Sequence, residues 1–265
     1  MGPISRFAAL GCWIALAGTG WSAENTLTPA EQKAGWKLLF DGKSAQALRN
    51  FKKDALNPQW KVLDGTLVRT AAGAGDIISR AQFGNFELLL DFKISKGGNS
   101  GLMFKVTEEA DQPWHTGPEV QIQDNIDGHD PQKAGWLYQL YQTGNNPMTK
   151  KPLDTTHPAG EWNQIRLLVC EDRAELFMNG HHYWTCRIGD KAWNERLAKS
   201  KFAKMAGFAK ANQGHICLQD HGNEVAFRNI KVREVDSRGN PRQPIDGDLP
   251  VKLQTVFSGV NWAGY

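Results

Sequence analysis

The chain has 265 residues, of which 22% are charged and 40% are apolar, and its formal net charge is +3. This balance is typical of one folded domain with tails, and it excludes disordered, collagen-like and coiled-coil chains, whose compositions are strongly skewed. The basic residues form no dense stripe, so nucleic acid is not an expected partner.

Residues 1–23 are predicted to be a secretory signal peptide. Arg6 precedes an apolar run from Phe7 to Gly18, which is too short to span a bilayer, and small residues follow as far as Ala23. No later stretch is long and apolar enough for a membrane span. We therefore expect a protein exported to the periplasm or the extracellular space, without a transmembrane segment.

The mature chain keeps three cysteines. Export permits disulfides, but Cys170 and Cys186 fall two strands apart in a predicted meander, which is beyond disulfide reach. Together with Cys217 they are expected to be free and mostly buried thiols.

Residues 24–235 are predicted to form one domain of short strands. At its start, Thr28 and Glu31 make a capping-box pattern around Pro29, which predicts a short helix ending near Gly35. The predicted strands cover residues 36–40, 60–63, 66–68, 86–94, 102–106, 119–124, 164–170, 174–178, 181–188, 215–221 and 225–235. Such a series favours an all-β, two-sheet antiparallel sandwich or jelly roll.

Three other segments have distinct patterns. Asn179-Gly180 is the strongest short signal for a β-hairpin. Residues 190–210 are predicted to be a helical insertion of one or two short helices, capped by Asp190 and Ser200. Residues 236–265 are predicted to be a linker and a C-terminal tail.

The strand at residues 119–124 has the most informative polar pattern. Glu119, Gln121 and Gln123 point to one side, and Val120 and Ile122 point to the other. A polar row opposite an apolar row marks the wet face of a sheet. That face is either a solvated outer surface or, in a curved sandwich, a groove.

Polar residues on other strands complete the candidate site. A second row, His215, Cys217, Gln219 and His221, is predicted to share one face of its strand. Lys105 is predicted to lie on the same side of its strand as Met103. The remaining candidates for ligand binding are Asn99 and Arg228.

Recognisable metal, phosphate-loop and catalytic-serine motifs are missing from the sequence, so it requires no cofactor. The oxygen-rich segment at residues 124–130 lacks the ligand spacing of an EF-hand. A solvated turn is favoured there. If a divalent metal ion binds, Asp124 and Asp127 are its candidate ligands.

Short motifs follow one another along the chain: Leu39-Phe40-Asp41-Gly42, Asn99-Ser100-Gly101, residues 117–124, residues 160–163, Ser200-Lys201-Phe202 and residues 214–222. In content and order they resemble the 3-keto-disaccharide hydrolase domain family, over residues 36–235. The resemblance implies a concanavalin A-like jelly roll in exported bacterial proteins that act on sugars oxidised at the third carbon. Two positions depart from the family pattern: Lys105 stands where arginine is common, and Gln123 where an apolar residue is usual.

The resemblance also implies a mechanism. Conventional glycosidases need two carboxylates, whereas the strand face of Glu119 has one. A ketone at C3 relaxes that need, because it acidifies the C2 proton, so one base can start an elimination that water addition then completes as a net hydrolysis. In this hypothesis Glu119 is the base, His221 or His115 is the acid, and Lys105, Gln121 or a metal ion stabilises the enolate. The expected substrate-binding residues are Gln121, Gln123, Lys105, Asn99, Gln219 and Arg228.

A carbohydrate is thus the expected substrate, and a sugar 3-oxidoreductase would act upstream to make the ketone. Two alternatives stay open: a non-catalytic, lectin-like glycan-binding module and a conventional endoglycanase. A titration of Glu119 shifted by burial would favour an enzyme. A shallow groove with exposed carboxylates would favour a lectin, and a second carboxylate facing Glu119 would favour the endoglycanase.

Overall fold

The structure is a computed structural model, and it describes residues 24–242. The predicted signal peptide and residues 243–265 of the predicted tail lie outside the described residues. Within residues 24–242, the helices are too short or too polar to cross a bilayer.

The described residues form two antiparallel sheets. The helices are α1 (Pro29–Lys33) and α2 (Lys191–Leu197), with a 3-10 helix over Pro113–His115. The strands are β1 (Lys37–Leu38), β2 (Leu48–Asn50), β3 (Trp60–Leu63), β4 (Thr66–Arg69), β5 (Ile77–Ser79), β6 (Phe86–Ile94), β7 (Asn99–Val106), β8 (Glu119–Gln123), β9 (Asn163–Cys170), β10 (Arg173–Met178), β11 (His181–Arg187), β12 (His215–Leu218) and β13 (Val225–Glu234).

Sheet A has the order β11-β10-β9-β6-β13-β4-β3, with β1 also paired to β13. Sheet B has the order β2-β5-β12-β7-β8, so β8 is one of its edge strands. The two-sheet antiparallel jelly-roll sandwich predicted from the sequence is confirmed.

Local signals in the sequence explain several element boundaries. Both hydrogen bonds of the capping box between Thr28 and Glu31 are formed at the start of α1. The β10–β11 hairpin turns at Asn179 and Gly180, whose φ angles of 50° and 80° suit the left-handed turn that this pair favours. Asp190 caps α2 by accepting a hydrogen bond from the N–H of Trp193. Ser200 instead closes a turn, so the insertion contains one helix among the described residues.

The core lies between the sheets and follows the alternation of the strands. Phe86, Leu88 and Leu90 of β6 are fully buried, and Val120 and Ile122 of β8 belong to the same apolar cluster. The side chains of β8 that alternate with them project from the outer face of sheet B. That outer face therefore carries the predicted polar row.

The three cysteines of the described chain, Cys170, Cys186 and Cys217, are free and buried, which confirms the expectation. Cys170 ends β9 and Cys186 lies in β11, and β10 separates these two strands.

Candidate functional site

The outer face of sheet B carries two adjacent rows of side chains that cross its strands. The first row, from β5 to β8, is apolar except for its last member: Ile78, Cys217, Met103 and Glu119. The second row is displaced by two residues along each strand, so it lies on the same face. Its members are Asp76, Gln219, Gly101 and Gln121. We call this second row, together with Glu119, the polar face.

The side chain of Glu119 leans from β8 across β7. Gly101 leaves the space for it, because a β-carbon at Gly101 would lie only 2.4 Å from Oε1 of Glu119. The side chain of Gln219, which directly follows β12, lies close enough to the Glu119 carboxyl group to lower its pKa, although burial has the larger, opposite effect. Since Glu119 is only 5% exposed, its carboxyl group is held within the site.

Asp76 supplies a second carboxyl group at the other end of the polar face. Its Oδ1 accepts a hydrogen bond of 2.8 Å from the backbone N–H of Asp220. Asp220 is itself fixed by a buried ion pair, in which Nε of Arg69 lies 2.6 Å from its Oδ1. The buried thiol of Cys217 lies in the strand between the two carboxyl groups, and its pKa is raised by burial and by both of their charges. The site thus contains two carboxyl groups, that of Glu119 on β8 and that of Asp76 just before β5.

The pKa values of these two carboxyl groups differ. Burial raises the pKa of Glu119 to about 8; the charge of Lys201 opposes this shift, and the charges of Asp76 and Asp130 add to it. Burial also raises the pKa of Asp76 to about 6, against the hydrogen bond from Asp220. At pH 7, Asp76 is therefore mainly ionised and Glu119 mainly protonated. Two neighbouring groups in these opposite states are typical of acid–base catalysis.

Aromatic and charged side chains stand beyond β8. The ammonium group of Lys201 lies 4.5 Å from the ring centre of Tyr138 and 5.0 Å from that of Trp114. The hydroxyl of Tyr138 donates a hydrogen bond of 2.8 Å to Asp130. The backbone N–H of Tyr138 donates to the carbonyl of Glu119 at 2.8 Å, which fixes this wall to the edge of sheet B. The site therefore has a cation and flat apolar rings beside its carboxyl pair.

A loop covers the two glutamines of the predicted polar row. The side-chain amide of Gln123 donates to the backbone oxygens of Asp130 and Gln132, and that of Gln121 also reaches Gln132. Gln121 and Gln123 are consequently only 1% and 2% exposed. The predicted wet face is therefore an enclosed polar face rather than a plain solvated surface.

Three side-chain amide oxygens here are buried without a hydrogen-bond partner, and they belong to Asn99, Gln123 and Gln219. Asn99 and Gln123 face each other between β7 and β8. A buried acceptor without a partner costs about 1–3 kcal/mol. A ligand that donates hydrogen bonds, such as the hydroxyl groups of a sugar, would remove this cost.

The structure thus brings together five of the predicted site residues: Glu119, Gln121, Gln123, Asn99 and Gln219. A sixth, His115, lies at the rim in the 3-10 helix, partly exposed, with its ring 4.2 Å from that of Trp114 between centres.

Lys105 does not reach the polar face, contrary to the prediction. Between the His215–Val106 and Cys217–Met103 pairs, β7 has one residue more than β12, which is a β-bulge. Lys105 lies in this bulge with a φ of 58°. Its ammonium group donates to the carbonyl of Ala211 at 2.9 Å. The bulge breaks the alternation on which the prediction rested.

The predicted positions of His221 and Arg228 are also wrong. Strand β12 ends at Leu218, so the predicted row does not extend to His221. His221 is exposed in the following turn. Arg228 belongs to sheet A, where it pairs with Asp91 and lies 4.1 Å from the ring centre of Trp162.

The candidate metal ligands have other roles. Asp124 accepts hydrogen bonds from the backbone N–H groups of Gly97 and Ile126, which lower its pKa against the opposing effect of burial. Asp127 lies 3.6 Å from the ammonium group of Lys96. Across residues 24–242, His, Cys, Asp and Glu side chains form no group of three or more that could hold a metal ion.

Sequence reasoning missed two charged members of the site, Asp76 and Lys201. Asp76 immediately precedes a three-residue strand, which was too short to be predicted. Lys201 lies in the motif Ser200-Lys201-Phe202, which supported the family resemblance but was assigned no role. Membership of Lys201 in that family motif was therefore the one sequence feature that could have marked it as a candidate site residue.

Known proteins share this architecture. A 3-keto-disaccharide hydrolase of Bacteroides thetaiotaomicron is 29% identical over 230 residues, which cover 76% of this chain and 79% of the relative. A crystal structure of a candidate glycosyl hydrolase from Parabacteroides distasonis has a TM-score of 0.73 at 29% identity, and covers 81% of this chain and 100% of that one. A second candidate glycosyl hydrolase from that organism has a TM-score of 0.53 at 26% identity, over 76% and 99% of the two chains.

A family described as the 3-keto-alpha-glucoside-1,2-lyase-like domain matches residues 35–233. The match includes the polar face, the wall at Tyr138 and Lys201, and all thirteen strands except the last residue of β13. It confirms the resemblance recognised in the sequence motifs. The chain therefore belongs to the 3-keto-alpha-glucoside-1,2-lyase-like domain family.

Proposed function

We propose that this protein is an exported enzyme that cleaves the glycosidic bond of 3-keto glycosides by elimination and hydration. The observation that carries the proposal is the pair of carboxyl groups, Asp76 and Glu119, whose pKa values are raised to about 6 and about 8 on one enclosed face. The name of the Bacteroides thetaiotaomicron relative supports the class of substrate. The burial of Glu119 favours an enzyme over a lectin-like module. A second carboxyl group beside Glu119 is also what a conventional endoglycanase needs. The name of the relative and the family description support the 3-keto substrate, and turnover of matched sugars separates the two enzymes.

The chemistry needs one base and one acid. The C3 ketone acidifies the proton on C2, and a base removes it to give an enolate. The enolate re-forms the ketone and breaks the bond from C1 to the glycosidic oxygen. That oxygen takes a proton from the acid, and the leaving group departs as an alcohol. Water then adds across the resulting C1–C2 double bond, with its oxygen on C1 and a proton on C2, so the net reaction is hydrolysis.

The order of the two pKa values supports a role for each group. Asp76 is the base, because it is ionised at neutral pH, and Glu119 is the acid, because it keeps its proton. This reverses the role that the sequence suggested for Glu119. It also removes the need for His221, which lies exposed in a turn.

Other side chains on the polar face complete the proposed site. Gln219 lies between the two carboxyl groups, and its unpartnered Oε1 accepts a sugar hydroxyl. Lys201 replaces Lys105 as the cation of the site, since its charge acts on Glu119 while Lys105 is bonded to Ala211. Beside Glu119 it stabilises the negative charge that develops on the departing glycosidic oxygen.

The test is turnover of matched sugars. The purified protein is incubated with 3-keto-trehalose or 3-keto-lactose beside the unoxidised disaccharides, and free hexose is measured. We expect release only from the keto forms, and a loss of roughly 10²–10⁴-fold in Glu119→Gln and Asp76→Asn. Asp111→Asn is the matched control, because the Asp111 side chain is 93% exposed. Equal turnover of the parent sugars would instead indicate a conventional two-carboxylate glycosidase.

Export and an upstream partner belong to the same proposal. The predicted signal peptide implies a mature protein that begins near Ala23 or Glu24, in the periplasm or outside the cell. The ketone must come from a sugar 3-oxidoreductase that acts before this enzyme. N-terminal sequencing of exported material tests the first point, and finding Met1 there would contradict it.

A further inference from the structure

A cavity lies next to the polar face. It is a groove of about 850 Å³ lined by amide, hydroxyl, aromatic and basic side chains. We call it the outer groove, and the lining residues that matter here are Gln132, Trp136, Gln139, Gln142 and Arg196. Its volume lies in the range of about 300–1,000 Å³ that is usual for small-molecule sites.

The outer groove and the polar face share one wall. The backbone oxygen of Gln132 accepts a hydrogen bond of 2.8 Å from the side chain of Gln123 on the polar face. The side chain of Gln132 in turn accepts a hydrogen bond from the N–H of Gln139. Oε1 of Gln139 accepts a hydrogen bond of 2.7 Å from the N–H of Lys201. Gln132 and Gln139 therefore join the segment beside Glu119 to the lining of the outer groove.

The backbone at this wall is strained. Gln139 has a φ of 59°, in the left-handed region that residues other than glycine rarely adopt. Such strain persists where surrounding contacts hold it, and it concentrates at ligand sites. The two hydrogen bonds of Gln139 to Gln132 and Lys201 are contacts of that kind.

The order of groups across the surface shows on which side of the two carboxyl groups the outer groove lies. Residues 133–141 run beside the edge strand β8, where the N–H of Gln121 donates to the carbonyl of Trp136. Moving outward from β5, the surface presents first Asp76, then Glu119, and then the shared wall and the outer groove. If Asp76 faces the C2 proton and Glu119 faces the glycosidic oxygen, the bond being broken points toward the outer groove.

From this order we propose that the outer groove is the leaving-group subsite, and that it takes a sugar ring. This inference rests on the proposed function, which it deepens. The lining supplies amide groups that both donate to and accept from hydroxyl groups, and the partly exposed ring of Trp136 offers a flat apolar surface. Arg196, which stacks 4.5 Å from the ring centre of Tyr141, adds further donors.

The test compares leaving groups of different size. Trp136→Ala is expected to lower kcat/KM about tenfold for 3-keto-trehalose, whose leaving group is a hexose, because one stacked ring contributes up to about 1.4 kcal/mol. For methyl 3-keto-glucoside the expected change is less than about twofold. Gln142→Ala, at an exposed position, should also lower kcat/KM more for 3-keto-trehalose than for the methyl glycoside, but by a smaller factor. Trp162→Ala, at the ring that stacks on Arg228 of sheet A, is the matched control and should leave the kcat/KM of both substrates unchanged.

A binding measurement separates this inference from the proposed function. Unoxidised trehalose is titrated calorimetrically into the wild-type protein and into Trp136→Ala, which is expected to bind it about tenfold more weakly. If neither keto sugar is turned over but Trp136→Ala still weakens binding, the subsite stands and the proposed reaction is wrong. If keto sugars are turned over and the groove variants affect both substrates equally, or neither, the subsite is wrong.

Discussion

Glu119 occupies the space above Gly101, and its Oε1 lies where a side chain at position 101 would begin: a β-carbon there would be 2.4 Å away. The two residues are on neighbouring strands, where the register pairs Gly101 with Gln121. The absence of a side chain at Gly101 on β7 lets a carboxyl group on edge strand β8 approach Gln219, which directly follows β12. The catalytic geometry of the proposed site therefore depends on a glycine.

Gly101→Ala is expected to displace the Glu119 carboxyl group and to lower activity about 10²-fold, since an error of about 1 Å in placement is enough for such a loss. Overpacking should also cost about 1–3 kcal/mol of stability. Both are measured, by kcat/KM on a 3-keto disaccharide and by urea denaturation. Gly144→Ala is the matched control, because a β-carbon there meets nothing within 4 Å. Equal activity of the two variants would contradict the role of Gly101.

The proposed roles predict a bell-shaped pH profile. Activity rises as Asp76 loses its proton through about pH 6, and it falls as Glu119 loses its proton through about pH 8. The profile of kcat/KM for wild-type protein should therefore peak near pH 7. In Glu119→Gln the residual rate should keep the acid limb and lose the alkaline limb. If Glu119 were the base instead, its variant would keep the alkaline limb and lose the acid one.

The raised pKa of Glu119 also makes stability depend on pH. Its pKa moves from 4.5 to about 8 on folding, so the folded state holds the proton more tightly than the unfolded chain. That stabilisation is fully present below the unfolded pKa and is lost as the pH rises through 8. Glutamine does not titrate, so the stability of Glu119→Gln relative to wild type should increase from pH 5 to pH 8. Each unit of pKa shift corresponds to about 1.4 kcal/mol.

Urea denaturation at both pH values measures this difference. Asp111→Asn, at an exposed position, should show a difference from wild type that does not change with pH. A relative stability of Glu119→Gln that stays constant or falls with pH would mean that the carboxyl group is ionised in the folded protein.

The buried thiols should react only after unfolding. Burial raises the pKa of all three cysteines, that of Cys186 to about 12, so little thiolate is present at pH 8. We expect alkylation of the mature protein to add three groups in denaturant and almost none under native conditions. Mass spectrometry counts them, and a mature chain with no alkylatable thiol in denaturant would contradict the free-thiol assignment.

The parts of the site that follow from alternation within one strand could be predicted from the sequence. Glu119, Gln121 and Gln123 are an example, because their spacing in β8 fixes their common face. Lys105 could not be placed, since a bulge in β7 becomes visible only against its partner β12. Asp76 is brought to Asp220 by the pairing of β5 with β12, strands distant in sequence, and no local pattern reveals such a contact.

Lys201 and Lys105 allow a direct comparison between the cation that the structure places at the site and the one that strand alternation predicts there. Lys201→Met removes the cation beside Glu119, and loss of a group that stabilises a developing oxyanion costs about 10²–10³-fold in rate. The positive charge of Lys201 lowers the pKa of Glu119, so its removal should also shift the alkaline limb of the pH profile upward. Lys204→Met, at an exposed position in the same segment, is the control for changes in net charge.

Lys105→Met should behave differently. It removes the hydrogen bond from Lys105 to Ala211, at a cost of about 1 kcal/mol in stability, and it should leave activity within about threefold of wild type. Both variants are compared with wild type by kcat/KM across pH 5 to 10 and by thermal unfolding. If Lys105→Met lost most of its activity while Lys201→Met kept it, Lys105 would be the catalytic cation, as strand alternation predicts. The assignment of that role to Lys201 would then be wrong.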